Sequence, residues 1–157
     1  MVRQFQINDT LSVGRDPPGE EDLPEIAAAG FRSVVDLRVA GEAAQALPPA
    51  AEARAVEARG LRYANLPVPT GRLDEAALDR FQALFEELPK PIFVHCASGK
   101  RAGTFALAQA GSAAGLSGNQ VVERIAEAGA AYGSDDMRET VRRWVDRRRR
   151  SEGTGPP

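Results

Sequence analysis

The sequence predicts an α/β domain with a largely parallel central sheet of about four to five strands and helices on both faces. Three observations carry this expectation. The chain has 157 residues, close to the ~150 of one domain, and neither an internal repeat nor a linker divides it. It is 43% hydrophobic and 27% charged, ordinary for a globular chain that builds a core without metal or disulfide staples. Short apolar strands alternate with amphipathic helices, the order that yields a parallel sheet, and right-handed crossovers then put helices on both faces. One domain is expected over 1–150, with a flexible polar tail at 151–157.

The elements follow in order. Phe5, Ile7, Leu11 and Val13 alternate with polar residues around Asn8-Asp9, which reads as two short strands. Asp16-Pro17-Pro18-Gly19 is a break. Residues 20–29 read as a helix because acids in the first turn suit its dipole and Gly30 ends it; Pro24 points to a true start at Leu23. FRSVVDL (31–37) is a strand with the paired Val34-Val35 of a buried one. A helix is expected over 49–59, capped by Gly60, and a strand over 61–68. After the Pro69-Thr70-Gly71 loop, Asp74 is a good N-cap for an amphipathic helix through Leu88, whose Phe81, Leu84 and Phe85 fall at core spacing. Pro89-Lys90-Pro91 stops it. A short buried strand, 92–95, leads to Cys96 and a helix starting near Arg101. Helices at 119–128 and 135–150 close the domain, the last presenting Met137, Val141, Trp144 and Val145 on one face.

Composition excludes several functions. No apolar run approaches the ~20 residues of a membrane span, and the first ten residues lack the apolar stretch of a secretory signal. The single cysteine, Cys96, excludes an internal disulfide and a cysteine-based zinc cluster, and the single histidine, His95, excludes a histidine-rich metal site. A serine–histidine–acid triad would have to use His95, directly before the cysteine. Net charge is −2, so neither nucleic acid nor membrane is expected as a partner. Arg142, Arg143 and the run 147–150 form the strongest local charge feature, read as a solvated helix end whose cations suit the dipole. The expected location is the cytoplasm, where a lone thiol stays reduced.

One segment carries chemistry. PIFVHCASGKRAGTFALA joins a buried strand, a tight loop and a helix, and ligands of open α/β sheets bind at such strand ends. Cys96 opens the loop, Gly99 permits a sharp bend, and Arg101 lies five positions after the cysteine. Such a loop turns successive backbone N–H groups into one concavity above a helix N-terminus. That environment favours a thiolate, while Arg101 offers a bidentate guanidinium to an oxyanion. Arginine makes up 18 of 157 residues, so the spacing alone carries little weight; the ordered context carries the reading. The alternative is a buried structural cysteine at a strand end.

His95 to Gly103, HCASGKRAG, resembles the signature loop of cysteine-dependent protein tyrosine and dual-specificity phosphatases. Together with LSVGRDPPGEEDLPEIAAAGFRSVVDLRVAGE and LRYANLPVPTGRLDEAALDRF, the pattern is similar to the beta-lactamase-hydrolase-like group of that superfamily, over about residues 5 to 115. The resemblance implies that Cys96 is the nucleophile that forms a phosphocysteine and that Arg101 binds the phosphoryl oxygens. It further implies that backbone amides of Ala97, Ser98, Gly99, Lys100, Arg101 and Ala102 complete a cradle, and that His95 holds the loop and tunes the thiol. No metal or organic cofactor is implied; the substrate would be a phosphorylated small molecule or a phosphoprotein.

Three departures bear on the activity. Four residues separate Cys96 from Arg101 where well-characterised members of the superfamily have five, a spacing shared with rhodanese-type sulfurtransferases. Ala102 stands where a serine or threonine usually helps the thiolate leave, with Thr104 or Ser98 as substitutes. The loop that usually supplies an aspartic general acid reads Pro67-Val68-Pro69-Thr70-Gly71-Arg72, with no acid until Asp74; loss of such an acid typically costs 10²–10⁴ in rate. Asp74 is therefore both the candidate acid and the candidate helix cap. Asp36, Arg38 and Glu42 in VVDLRVAGE either line the same crevice or form structural ion pairs. A persulfide-carrying sulfurtransferase and a non-catalytic anion-binding module stand as alternatives, although the Gly-His-Ile-Pro-Gly segment of rhodaneses is absent.

Overall fold

The computed structural model describes residues 2–42, 47–131 and 133–153, with side chains through Ser151. Two strands open the chain, β1 (Gln4–Gln6) and β2 (Leu11–Gly14). The turn between them is made by Asn8, whose side-chain oxygen accepts from the backbone N–H groups of Thr10 and Leu11. A 3-10 turn, Glu20–Asp22, precedes α1 (Leu23–Ala28), so the helix starts where Pro24 pointed. There follow β3 (Ser33–Asp36), α2 (Pro49–Glu57), β4 (Arg62–Asn65), α3 (Glu75–Glu87) and β5 (Ile92–His95). Three helices complete the domain: α4 (Lys100–Ala113), α5 (Gly118–Glu127) and α6 (Asp135–Gly153).

The five strands lie in the order β1-β2-β5-β3-β4, with β1 antiparallel at one edge and the rest parallel. Alternation along the strands divides the core in two. Leu11, Val13, Val35, Ile92 and Val94 pack on the side of α3, α4, α5 and α6. Val34 and Phe93 pack on the other side against Leu23 and Ile26 of α1 and Val56 of α2. Helices therefore cover both faces, as expected.

At α5 and α6 the boundaries differ from the sequence reading. Helix α5 starts at Gly118, not Asn119, because Ser117 and Gln120 form a reciprocal capping box. Gly118 is also the residue that fits there, since a Cβ would lie 2.4 Å from the Arg142 carbonyl oxygen of α6. Helix α6 carries 151–153, three residues of the expected tail, while 154–157 lie outside the described residues. Of the α6 arginines, Arg138, Arg143, Arg147, Arg149 and Arg150 are exposed, as expected of a solvated helix end, and Arg142 and Arg148 are half-buried. Arg142 pairs with Glu139 and Asp146, Arg147 with Glu75, and Arg148 stacks on Trp144 and donates to the Ser112 hydroxyl.

Candidate active site

β5 lies between β2 and β3, so the chain crosses over it on passing from one to the other. A ligand crevice opens at such a crossing, beyond the carboxyl ends of the strands. Cys96 is the first residue beyond β5. The loop then turns through Gly99, which caps α4 with φ 85°. A side chain is excluded there twice over: the backbone is left-handed, and a Cβ would meet Arg15 Cα and the Gly14 carbonyl oxygen at 3.3 Å. The turn brings the first turn of α4 to the sulfur, where the Ala102 N–H donates to Cys96 Sγ at 3.4 Å. The Ala102 N–H and the N-terminus of α4 are thus both directed at the sulfur. The thiol itself is buried, while Ala97, Ser98 and Lys100 are exposed on the rim.

Arg101, 5% exposed, is anchored from two other loops. Its Nη1 donates to Glu42 Oε2 (2.8 Å) and to the Val68 carbonyl (2.7 Å), and its Nη2 donates to Glu42 Oε1 (2.7 Å). Glu42 is fixed in turn, accepting from the Val39 N–H. The Arg101 hydrogen bonds hold the Glu42 carboxyl below the usual carboxylate range. Val68 reaches the guanidinium because the chain beyond β4 runs beside the end of β3: Leu66 N–H donates to the Asp36 carbonyl and Val68 N–H to that of Leu37. The guanidinium plane is thus fixed by Glu42 and the Val68 carbonyl.

Strand alternation sends the side chain of His95 to the opposite face of the sheet from Cys96. It lies toward α2, on the far side of the sheet from the loop amides, and so does not reach a substrate there. There it joins Asp36, Arg38 and Glu52, all 0% exposed. Arg38 donates to both oxygens of Asp36 at 2.9 Å and to Glu52 Oε1 at 2.8 Å. His95 Nε2 lies 2.5 Å from Glu52 Oε2. The Tyr63 hydroxyl donates to Asp36. Burial works to raise the Asp36 carboxyl, but the bonds from Arg38 and Tyr63 prevail and hold it low; burial and then the Asp36 charge push the Tyr63 hydroxyl up. Asp36, Glu52 and His95 are close enough to share a metal ion, yet the Arg38 guanidinium already bridges both carboxylates as the cation of the cluster.

Of VVDLRVAGE, then, Asp36 and Arg38 form a structural ion pair and Glu42 belongs to the crevice. The exposed Asp74 caps α3, its Oδ1 accepting from the Ala77 N–H at 2.8 Å, and lines a surface cleft with Val68, Pro69 and Arg72. Thr104 does not serve beside the sulfur: it is on the buried side of α4, and its hydroxyl donates to the Ala130 carbonyl. Glu52, Tyr63 and the Val68 carbonyl escaped the sequence reading. Glu52 alone had a signal, because Pro49, Glu52 and Val56 share one helical stripe that is buried, and an acid within such a stripe needs a partner.

Residues 6–112 match the family described as beta-lactamase hydrolase-like protein, phosphatase-like domain. The chain belongs to this family. Over 147 residues it is 31% identical to a beta-lactamase hydrolase-like protein of Agrobacterium fabrum, covering 93% of this chain and 32% of that protein; it spans about a third of the length of the curated relatives it matches. Among solved structures, PTPMT1 superposes with a TM-score of 0.74 at 17% identity, covering 98% of this chain and all of that one. A cysteine-to-serine variant of P. aeruginosa TpbA in complex with pTyr superposes with a TM-score of 0.67 at 22% identity, covering 97% of this chain and 91% of that one. The domain therefore has the fold of the cysteine-dependent phosphatases.

Proposed function

We propose that the domain hydrolyses phosphate monoesters through a phosphocysteine on Cys96, with Arg101 binding the phosphoryl oxygens. The observation that supports this best is the Ala102 N–H on Cys96 Sγ at the start of α4, the helix whose first turn also carries the anchored Arg101. In the first step the thiolate attacks phosphorus; the S–P bond forms and the P–O bond to the leaving group breaks. In the second, water attacks the phosphocysteine, inorganic phosphate leaves and the thiolate is restored. Amides of Ala97, Ser98, Gly99, Lys100 and Ala102 would complete the cradle. No metal or cofactor enters either step.

The loop facing the site, 67–72, has no carboxyl group, and the Asp74 side chain is engaged as a helix cap. Aryl phosphates, whose leaving groups need protonation least, are thus the favoured substrates and alkyl phosphates the poor ones. The pTyr bound by TpbA agrees with this preference. The substrate is a phosphorylated small molecule or phosphoprotein of this kind, met in a reducing compartment such as the cytoplasm. The test is para-nitrophenyl phosphate hydrolysis by the reduced domain, with Cys96→Ser as control and phosphoserine as comparison. Slow hydrolysis of the aryl ester that vanishes in Cys96→Ser is expected. If thiosulfate instead leaves one extra sulfur on Cys96, releasing sulfite, while the aryl ester stays intact, the protein is a sulfurtransferase.

A further inference from the structure

The buried cluster behind β5 is larger than a structural ion pair requires, and it ends on the residue next to the nucleophile. His95 is faced from β3 by Asp36 and from just beyond β3 by Arg38. It is faced from α2 by Glu52, and across Asp36 by Tyr63 of β4. On its remaining sides lie Phe93 of its own strand and Gly14 of β2. Glu52 approaches one ring nitrogen closely while its other oxygen accepts from Arg38, so Nε2 is the nitrogen placed to donate to it. The other nitrogen, Nδ1, is buried with no hydrogen-bond partner among the described residues and lies 3.8 Å from Asp36 Oδ1. An orphaned buried nitrogen is unfavourable, so the strong bond at Nε2 decides how the ring sits.

We propose that Glu52 is a positioning residue for Cys96: by accepting the His95 Nε2 hydrogen it fixes the imidazole, and through it the end of β5 from which the cysteine loop departs. The role rests on the reading of Cys96 as a nucleophile. Glu52 is on α2, on the far face of the sheet from the sulfur, so its influence passes through His95. His95 N–H and C=O are also held in register with β3, the His95 carbonyl accepting from the Leu37 N–H. A ring that turned to satisfy Nδ1 would pull on the backbone segment that sets the Cys96 Sγ to Ala102 N–H contact.

The chain has one histidine and one cysteine, so each reports without overlap. ¹⁵N NMR of the imidazole in the unaltered protein should show the hydrogen on Nε2; a ring that carries it on Nδ1 alone overturns the proposal, whether or not any variant folds. In Glu52→Gln, which keeps the shape, Cys96 alkylation at neutral pH should slow roughly tenfold, its pH profile should move upward, and kcat on aryl phosphate should fall more than KM changes. Glu52→Gln should add nothing once His95 is replaced by Asn, the non-additivity expected of residues acting in series. A Glu52→Gln protein that is less stable but has an unchanged alkylation profile would show a purely structural role. Alkylation and NMR need no turnover, so a reactive, Glu52-dependent thiol without phosphatase activity would refute the proposed reaction and leave the positioning role intact.

Discussion

Arg38, just beyond β3, and Arg101, in the first turn of the helix that follows β5, each grip a carboxylate with two nitrogens, yet they do different work. Arg38 is wholly buried, shared between Asp36 and Glu52, on the α2 side of the sheet. Arg101 is in the first turn of α4, and its partner Glu42 has a side chain 18% exposed. The buried pair ties β3, α2 and β5 together; the other presents a guanidinium to the crevice. One residue type in one short region thus becomes scaffold or site according to the face of the sheet on which it emerges.

The largest test of this contrast is stability. Arg38→Ala leaves two carboxylates buried without their cation and should cost about 3–5 kcal/mol, read from chemical denaturation. Arg101→Ala leaves Glu42 able to hydrate and should cost about 1–2 kcal/mol. Equal losses would erase the distinction between scaffold and site.

Anion binding should reverse the order. Arg101→Lys keeps the charge but loses the fork, and affinity for phosphate or vanadate should fall about tenfold or more with little change in stability. Arg38→Lys, if folded, should bind the same anions as the unaltered domain. Unchanged binding in Arg101→Lys would remove Arg101 from the site.

A smaller effect is expected with pH. The Asp36 and Glu42 carboxyls titrate lower when folded than unfolded. Their contribution is therefore present above the unfolded carboxylate value of about 4 and is lost as pH falls through their folded values. Denaturation midpoints should be insensitive to these two groups between about pH 5 and 7 and decline below about 4. Glu42→Gln should soften that decline, and an identical acid limb in the variant would mean the Glu42–Arg101 bond adds nothing to stability.

The smallest effect is at Asp74. Asparagine caps helices about as well as aspartate, so Asp74→Asn should shift stability by only a few tenths of a kcal/mol, whereas Asp74→Ala should cost about 1 kcal/mol. Aryl phosphate hydrolysis should be unchanged in Asp74→Asn. A drop that grows with the basicity of the leaving group would instead identify Asp74 as the acid.

Where information was local, the sequence was readable. The Asn8 turn, the Asp74 cap and the strand–cysteine–glycine–helix succession around Cys96 depend on residues within a few positions of one another. The Ser117–Gln120 capping box that starts α5 at Gly118 is equally local. The pairs that complete the site are not local. Glu42 meets Arg101 across 59 positions and Glu52 meets His95 across 43, and only the β5–β3 pairing brings them together.

The sequence by itself determined a parallel α/β domain, a lone thiol at a strand end, and an arginine one turn into the reach of that thiol. These follow from periodicity, caps and spacing, which act over single elements. The tertiary structure alone decided that Glu42 orients Arg101, that His95 turns away from the cradle onto Glu52, and that Arg38 is buried. Alternation places His95 and Cys96 on opposite faces, but packing determines that α2 covers one and α4 the other. A charge becomes scaffold or site only when the fold fixes how much water remains around it.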